Sequence, residues 1–350
     1  MKVDIKSLTL QELEDYIVSL GDKKFRAKQI FSWLHNKCVA SYDEMTNISK
    51  ELRQKLKEET YFALATPVSI LTSKIDGTKK YLFKFEDGNV IESVLMRYKH
   101  GNSVCISSQV GCRMGCRFCA STLDGLTRSL TASEMLEQIY RIRADIGERI
   151  SNVVIMGSGE PLDNYDNVLR FLELLNSPDG LMISSRNLTI STCGLVPRIK
   201  ELAELNLQIT LAISLHAPSD EIRKTMMPIA NKYSIDEILE ACRYYYNQTG
   251  RRITFEYSLV KDVNDSIECA NLLISKIKGL NCHVNLIPVN PIKERDYEQS
   301  QLEQIQKFKN KLEKNQINVT IRREMGRDIN GACGQLRKNY IGSEQHMLPL

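Results

Sequence analysis

Along the first sixty residues apolar positions recur every three or four residues, the spacing of helices with one buried face. Thr9 and Glu12 form a capping-box pattern ahead of one such run and Gly21 follows it as a stop, so a small helical module is expected over 1–65. From 66 to 104 the pattern turns strand-like, and Asp76-Gly77 and Asp87-Gly88 mark tight turns, predicting a β-hairpin extension that leads into the core. Further on, apolar strand segments at 152–156, 188–191, 209–214, 253–259 and 283–287 alternate with helical patterns at 131–147, 234–248 and 298–314. Repeated βα units mean a parallel sheet, so the fold class is α/β. With the strand before Cys112 there are about six units and little dinucleotide-fold punctuation, which predicts a partial (βα)6 TIM-type barrel over 105–325, then a C-terminal segment over 326–350. Chemistry in such a barrel sits in the loops after the C-terminal strand ends.

Composition adds limits. A chain of 350 residues, 42% of them hydrophobic, buries enough for one large domain with a smaller appendage. The net charge of +4 permits a phosphate-bearing partner without requiring one. Lys23, Lys24, Arg26, Lys28 and Lys37 interleave with Phe25, Phe31 and Trp33. That segment is either a phosphate-facing helix or an ordinary amphipathic one with its aromatics in the core. The N-terminus carries acids where a signal peptide needs a basic and then an apolar run, and no stretch suits a membrane span. A soluble cytoplasmic protein without membrane contact is expected.

The cysteines change the picture. There are ten, and Cys105, Cys112, Cys116 and Cys119 crowd together in a chain with no need of disulfide staples. Cys112, Cys116 and Cys119 have C-x3-C-x2-C spacing in one loop after a strand. Three thiolates on an iron–sulfur cubane leave one iron without a protein ligand, and an open position is what a reactive metal site needs. The alternative is a structural zinc closed by Cys105 or a histidine, in a noncatalytic RNA-binding protein. Met156-Gly157-Ser158-Gly159-Glu160-Pro161 follows an apolar strand. Its glycines allow close approach of a ligand and its carboxylate suits an ammonium group, although a plain strand-to-helix turn has the same look.

The cysteine spacing, with Phe118 before the third thiol, resembles the radical S-adenosylmethionine (SAM) superfamily, and Gly159-Glu160-Pro161 resembles its Gly-Glu-Pro motif. The resemblance sharpens over nearly the whole chain. Ser107 to Cys112, Met156 to Leu162, Ser191 to Pro197, Ser214 to Pro218, Asn285 to Pro288 and Ala332 to Leu336 together look like the RlmN family. Ser158 departs from the methionine of many members and leaves the Gly-Glu-Pro part intact.

That resemblance implies a radical SAM barrel and methylation of C2 of an adenine in 23S rRNA and of an adenine beside the tRNA anticodon. It implies a 4Fe-4S cluster on Cys112, Cys116 and Cys119, and two SAM molecules per turnover held by Gly159, Glu160, Ser191, Ser214, Leu215, His216 and Asn290. It also implies a monomer served by an electron donor such as flavodoxin or ferredoxin, and an N-terminal module that binds RNA. An adenine C2 is electron-poor and does not attack a methyl sulfonium. In the family's scheme Cys333 is methylated first, a methylene radical on it adds to the ring, and the product is tied to the enzyme by a thioether. Release needs a base, matched by Glu92, and a resolving thiol, matched by Cys105, which leaves a disulfide. Without the family match Cys105 is a buried strand cysteine, Glu92 a solvated strand residue and His216 a hydrogen-bonded loop residue. Cys38, Cys193, Cys242, Cys269 and Cys282 are expected to be packing residues. The related Cfr type, which methylates C8, is the rival within enzymes.

Overall fold

The capping box at Thr9 forms: its hydroxyl accepts from the Glu12 N–H and the Glu12 carboxylate accepts from the Thr9 N–H. This computed structural model describes residues 2–331. Strand β1 (Val3–Asp4) pairs in parallel with β2 (Thr60–Tyr61), and between them α1 (Leu10–Ser19), α2 (Phe25–His35) and α3 (Lys50–Glu59) make the helical module. The ambiguous segment turns out mixed. Phe31 is core, whereas Phe25 is exposed beside Lys23, Lys24 and Lys28.

Strands β3 (Thr66–Thr72), β4 (Lys79–Lys84) and β5 (Val90–Tyr98) run antiparallel through the two Asp-Gly turns. Gly77 and Gly88 have φ of 73° and 81°, the conformation that made glycine informative there. Strand β6 (Gly101–Ile106) pairs antiparallel with β5. A small ladder of β7 (Gln109–Gly111) and β8 (Leu126–Ser129) then brackets the cysteine loop. The sheet is parallel from β6 through β9 (Ile150–Ile155), β10 (Leu188–Thr192), β11 (Thr210–Ser214), β12 (Ile253–Leu259), β13 (Cys282–Pro288) and β14 (Asn318–Ile321). Around it lie α4 (Ala132–Ile146), α5 (Tyr165–Asn176), α6 (Val196–Glu204), α7 (Asp220–Met226), α8 (Ile235–Thr249), α9 (Ile267–Ile277) and α10 (Leu302–Lys314). The barrel expectation stands, and the hairpin extension is continuous with the barrel in one ten-stranded sheet. Strand β14 adds a parallel edge that the apolar pattern did not announce, because only Val319 of it is buried.

The module docks on α4 through buried charge. Lys6 Nζ lies 2.6 Å from Glu137 Oε1, both side chains fully buried, and it also donates to the Ala63 carbonyl at 3.0 Å. Beside them His35 Nδ1 lies 2.7 Å from the Tyr140 hydroxyl. One residue along α4, the Gln138 amide accepts from the Ser107 N–H and the Ser93 hydroxyl and donates to the Ser107 carbonyl. Helix α4 thereby grips the module on one side and the exit of β6 on the other. No helix of the described residues is long and apolar enough to cross a membrane, and no disulfide joins two described cysteines.

Candidate active site

The loop from Cys112 to Cys119 is held by its own backbone. The Cys112 N–H donates to the Gly125 carbonyl at 3.0 Å, and the Thr122 hydroxyl lies 3.0 and 2.9 Å from the carbonyls of Cys116 and Cys119. All three thiols line a cavity of about 920 Å³ at the C-terminal ends of the barrel strands. Burial pushes the Cys112 thiol up to about 12 and holds that of Cys116 well above its ordinary value, with the neighbouring thiols adding to both. Such thiols stay protonated alone and ionise beside a metal's charge.

The turn after β9 supplies the facing wall. A side chain on Gly157 would come 2.7 Å from the Ile106 carbonyl, and Gly159, at φ 106°, presses on Gln109, so glycine is required at both. The turn thereby seats Glu160, which is 3% exposed. One carboxylate oxygen accepts from the Cys193 N–H at 2.7 Å and the other from the Leu162 N–H at 3.0 Å. Burial still pushes its carboxyl upward. The buried hydroxyl of Ser158 has no hydrogen-bond partner. Ser191 and Ser214, at the ends of β10 and β11, stand with their hydroxyls 3.4 Å apart.

His216 follows with φ 56°, a strained value for a residue with a side chain. Its Nδ1 accepts from the Ser258 N–H at 2.9 Å, which leaves the proton on the other ring nitrogen, and the ring meets Phe118 edge-on at 4.7 Å. Burial, with help from Arg223, holds its pKa down to about 3, so the ring is neutral. Gly159, Glu160, Ser191, Ser214, His216 and Asn290 all line the cavity with the three thiols. Leu215 instead turns its side chain into the core.

Two further lining residues escaped sequence reasoning. Cys193, expected only to pack, is buried beside Cys116 and on the cavity wall. Glu256 lies in β12 with Asn285 Nδ2 at 2.9 Å and Arg322 at 3.6 Å. A carboxylate inside the apolar run Ile253–Leu259 was the available signal. A three-thiol set on an open cavity with a buried carboxylate and paired serine hydroxyls fits a cluster with a polar cofactor on it.

A second cavity of about 610 Å³ shares Met156, Ile287, Asn290 and Arg322 with the first and contains Cys105. Lys80, Val94 and Cys105 form one row across β4, β5 and β6, and Glu92 lies two residues along β5 on the same face. Glu92 is not on a solvated face: it is 7% exposed, with Lys80 Nζ 3.1 Å from Oε1. Cys105 is a buried strand residue packed with Val94, Met96 and Met325. Lys80 also reaches the Asn330 carbonyl at 3.3 Å. The face is therefore covered by the segment that leads towards Cys333, which itself lies outside the described residues.

A partial barrel whose first loop presents three thiols to a cavity lined by a Gly-Glu-Pro turn defines a radical SAM enzyme. The Radical SAM superfamily model matches residues 106–273, and the Ribosomal RNA large subunit methyltransferase N-terminal domain model matches residues 3–62. A probable dual-specificity RNA methyltransferase RlmN of Lachnospira eligens is 68% identical over 338 residues, covering 97% of both chains. One of the same description from Lachnoclostridium phytofermentans is 62% identical over 97% of this chain and 95% of its own. The crystal structure of a radical SAM methyltransferase from Sphaerobacter thermophilus superposes with a TM-score of 0.93 at 42% identity, covering 96% of this chain and all of that one. The chain belongs to the RlmN family of radical SAM methyltransferases, with a 4Fe-4S cluster and SAM as its cofactors. The zinc alternative ends there.

Proposed function

We propose that this enzyme methylates C2 of an adenine in 23S rRNA and of the adenine 3′ of the anticodon in tRNA, using Cys333 as methyl carrier, Glu92 as proton acceptor and Cys105 as resolving thiol. Cys112, Cys116 and Cys119 hold the cluster; Glu160, Ser191, Ser214, His216 and Asn290 hold SAM. When bound, these cofactors supply the methyl group and one-electron bond cleavage. The observation that carries the reading is the face shared by Glu92 and Cys105, whose Cys105 end lines the cavity that adjoins the cofactor cavity and the segment leading to Cys333.

The remaining steps belong to the chain. Lys80 keeps a buried positive charge on Glu92, which favours the carboxylate able to take the C2 proton. Cys105 attacks the Cys333 sulfur, an S–S bond forms, and the S–C bond breaks with its electron pair passing to the methylene carbon, which takes up the proton given up by the Cys105 thiol and becomes the new methyl group. Lys23, Lys24 and Lys28, exposed before and within the first turn of α2, suit a phosphate backbone, and the whole is read as a cytoplasmic monomer fed by a flavodoxin- or ferredoxin-type donor. C2 is favoured over the C8 of the Cfr type because the motifs from Ser191 and from Ser214 look like the RlmN pattern.

The test is Cys105→Ala expressed in cells. A nuclease-sensitive protein–RNA adduct on the Cys333 peptide, seen on a denaturing gel and by mass spectrometry, is the expected result. A folded, cluster-loaded variant that turns over normally without an adduct would falsify the resolving role. NMR of the methylated nucleoside decides C2 against C8.

A further inference from the structure

Arg223 is the largest fully buried side chain of the described residues. Its Nε donates to the Leu215 carbonyl at 3.1 Å and its Nη2 to the Cys193 carbonyl at 2.6 Å, so it clasps the loops after β10 and β11. Its Nη1 is buried without a hydrogen-bond partner among the described residues. The acidic groups near enough to bear on it are the thiols of Cys193 and Cys116 and the carboxylate of Asp220. Asp220 makes no ion pair with it within 4.0 Å, and one of its oxygens is engaged by the Ile235 N–H. A buried guanidinium with idle donors and no paired carboxylate is costly unless something else brings negative charge.

The helix that carries Arg223 is docked on the cysteine loop. The Arg117 N–H donates to the Met226 carbonyl at 2.8 Å, and Gly115 lies so close to Pro228 that a β-carbon there would sit 3.2 Å from its ring. Met226 and Met227 pack with Cys116 and Cys193 in one apolar cluster. Arg223 thus stands behind the wall that holds the second thiol, and it is not among the residues lining the cavity. A cubane on three thiolates is anionic and becomes more so on reduction, in a medium where charges are weakly screened.

We infer that Arg223 is the buried counter-charge of the iron–sulfur cluster, a positioning residue that also makes the cluster easier to reduce. The inference rests on the cluster and not on which RNA atom is methylated, so its test contains neither RNA nor SAM. Full-length wild type, Arg223→Met and Arg223→Lys are reconstituted anaerobically, assayed for iron and sulfide, and titrated reductively by electron paramagnetic resonance. Arg223→Met should shift the one-electron reduction equilibrium at least tenfold against reduction, about 59 mV. Arg223→Lys, which keeps the charge, should stay near wild type. A loaded Arg223→Met at the wild-type potential overturns the inference, and so does Arg223→Lys displaced as far as Arg223→Met. If Arg223→Met does not fold, Arg223→Gln, which keeps an amide donor without the charge, is judged by the same two outcomes. A wild-type protein that takes up no cluster would instead contradict the cofactor assignment.

Discussion

Two buried cations sit beside two buried histidines in this molecule, and their surroundings differ. At the seam between the helical module and the barrel, Lys6 lies next to His35 and faces Glu137 at 2.6 Å. At the barrel mouth, Arg223 lies next to His216 and has only backbone carbonyls for partners. At the seam the Glu137 carboxylate answers both Lys6 and Arg141, so charge meets charge within the protein and serves stability. Under the inference that Arg223 balances the cluster, the mouth is completed when its cofactors bind, and its residues answer to function.

The largest effect belongs to the mouth. Cys116→Ala should remove the intact cluster and all formation of 5′-deoxyadenosine, at a folding cost of only about 1 kcal/mol for one small buried group. Iron content and denaturant unfolding of the apoprotein together check this, and retained brown colour with normal cleavage would contradict it. The seam should show the reverse. Glu137→Leu takes the carboxylate away from buried Lys6 and from Arg141, an expected loss of about 3–5 kcal/mol, while Lys6→Met with Glu137→Leu should recover much of it. Equal losses in the single and double variants would mean that packing, not charge, holds the seam.

The histidines sharpen the comparison through pH. Burial lowers both His35 and His216 from 6.5 to about 3, with the neighbouring cation as the second cause in each. As pH falls below 6.5 the unfolded chain takes up protons that the folded chain refuses. Stability therefore falls between pH 6.5 and about 3, by about 2 kcal/mol per histidine at pH 5. In urea titrations of the apoprotein, His35→Phe should lose about 2 kcal/mol less than wild type between pH 7 and pH 5. An unchanged loss would show that His35 is protonated in the folded state.

Legibility followed locality. The cysteine loop and the Met156–Pro161 turn were readable because their chemistry is contiguous, and the capping box at Thr9 and the Asp-Gly turns because each is a local rule. Lys80, Glu92 and Cys105 lie on three strands, and only register brings them onto one face, so a family resemblance was needed to single out the last two and nothing signalled Lys80. Neither the helix that carries Arg223 nor Arg223 itself was singled out by the sequence pattern. Its burial depends on α7 docking against the cysteine loop, a tertiary event with no one-dimensional trace. Lys6 and Glu137 are 131 residues apart, and neither position hinted at the other.

The smallest effect is expected at the element shared by both regions. Helix α4 opens on a capping box in which the Thr131 hydroxyl accepts from the Glu134 N–H at 3.3 Å and Glu134 accepts from the Thr131 N–H at 2.9 Å, and Arg128 grips the same carboxylate with two bonds of 2.7 Å. Three and four residues later the helix presents Glu137 to the seam and Gln138 to Ser107, at the exit of the strand that carries Cys105. Thr131→Ala removes one cap bond and should cost about 1 kcal/mol. Because Gln138 and Glu137 lie a full turn inside the helix, fraying at its first residue should leave iron content and reduction potential unchanged. If α4 instead transmits strain between the module and the mouth, the same variant would move the potential as well as the unfolding midpoint. Measuring both on one preparation separates a rigid strut from a mechanical link.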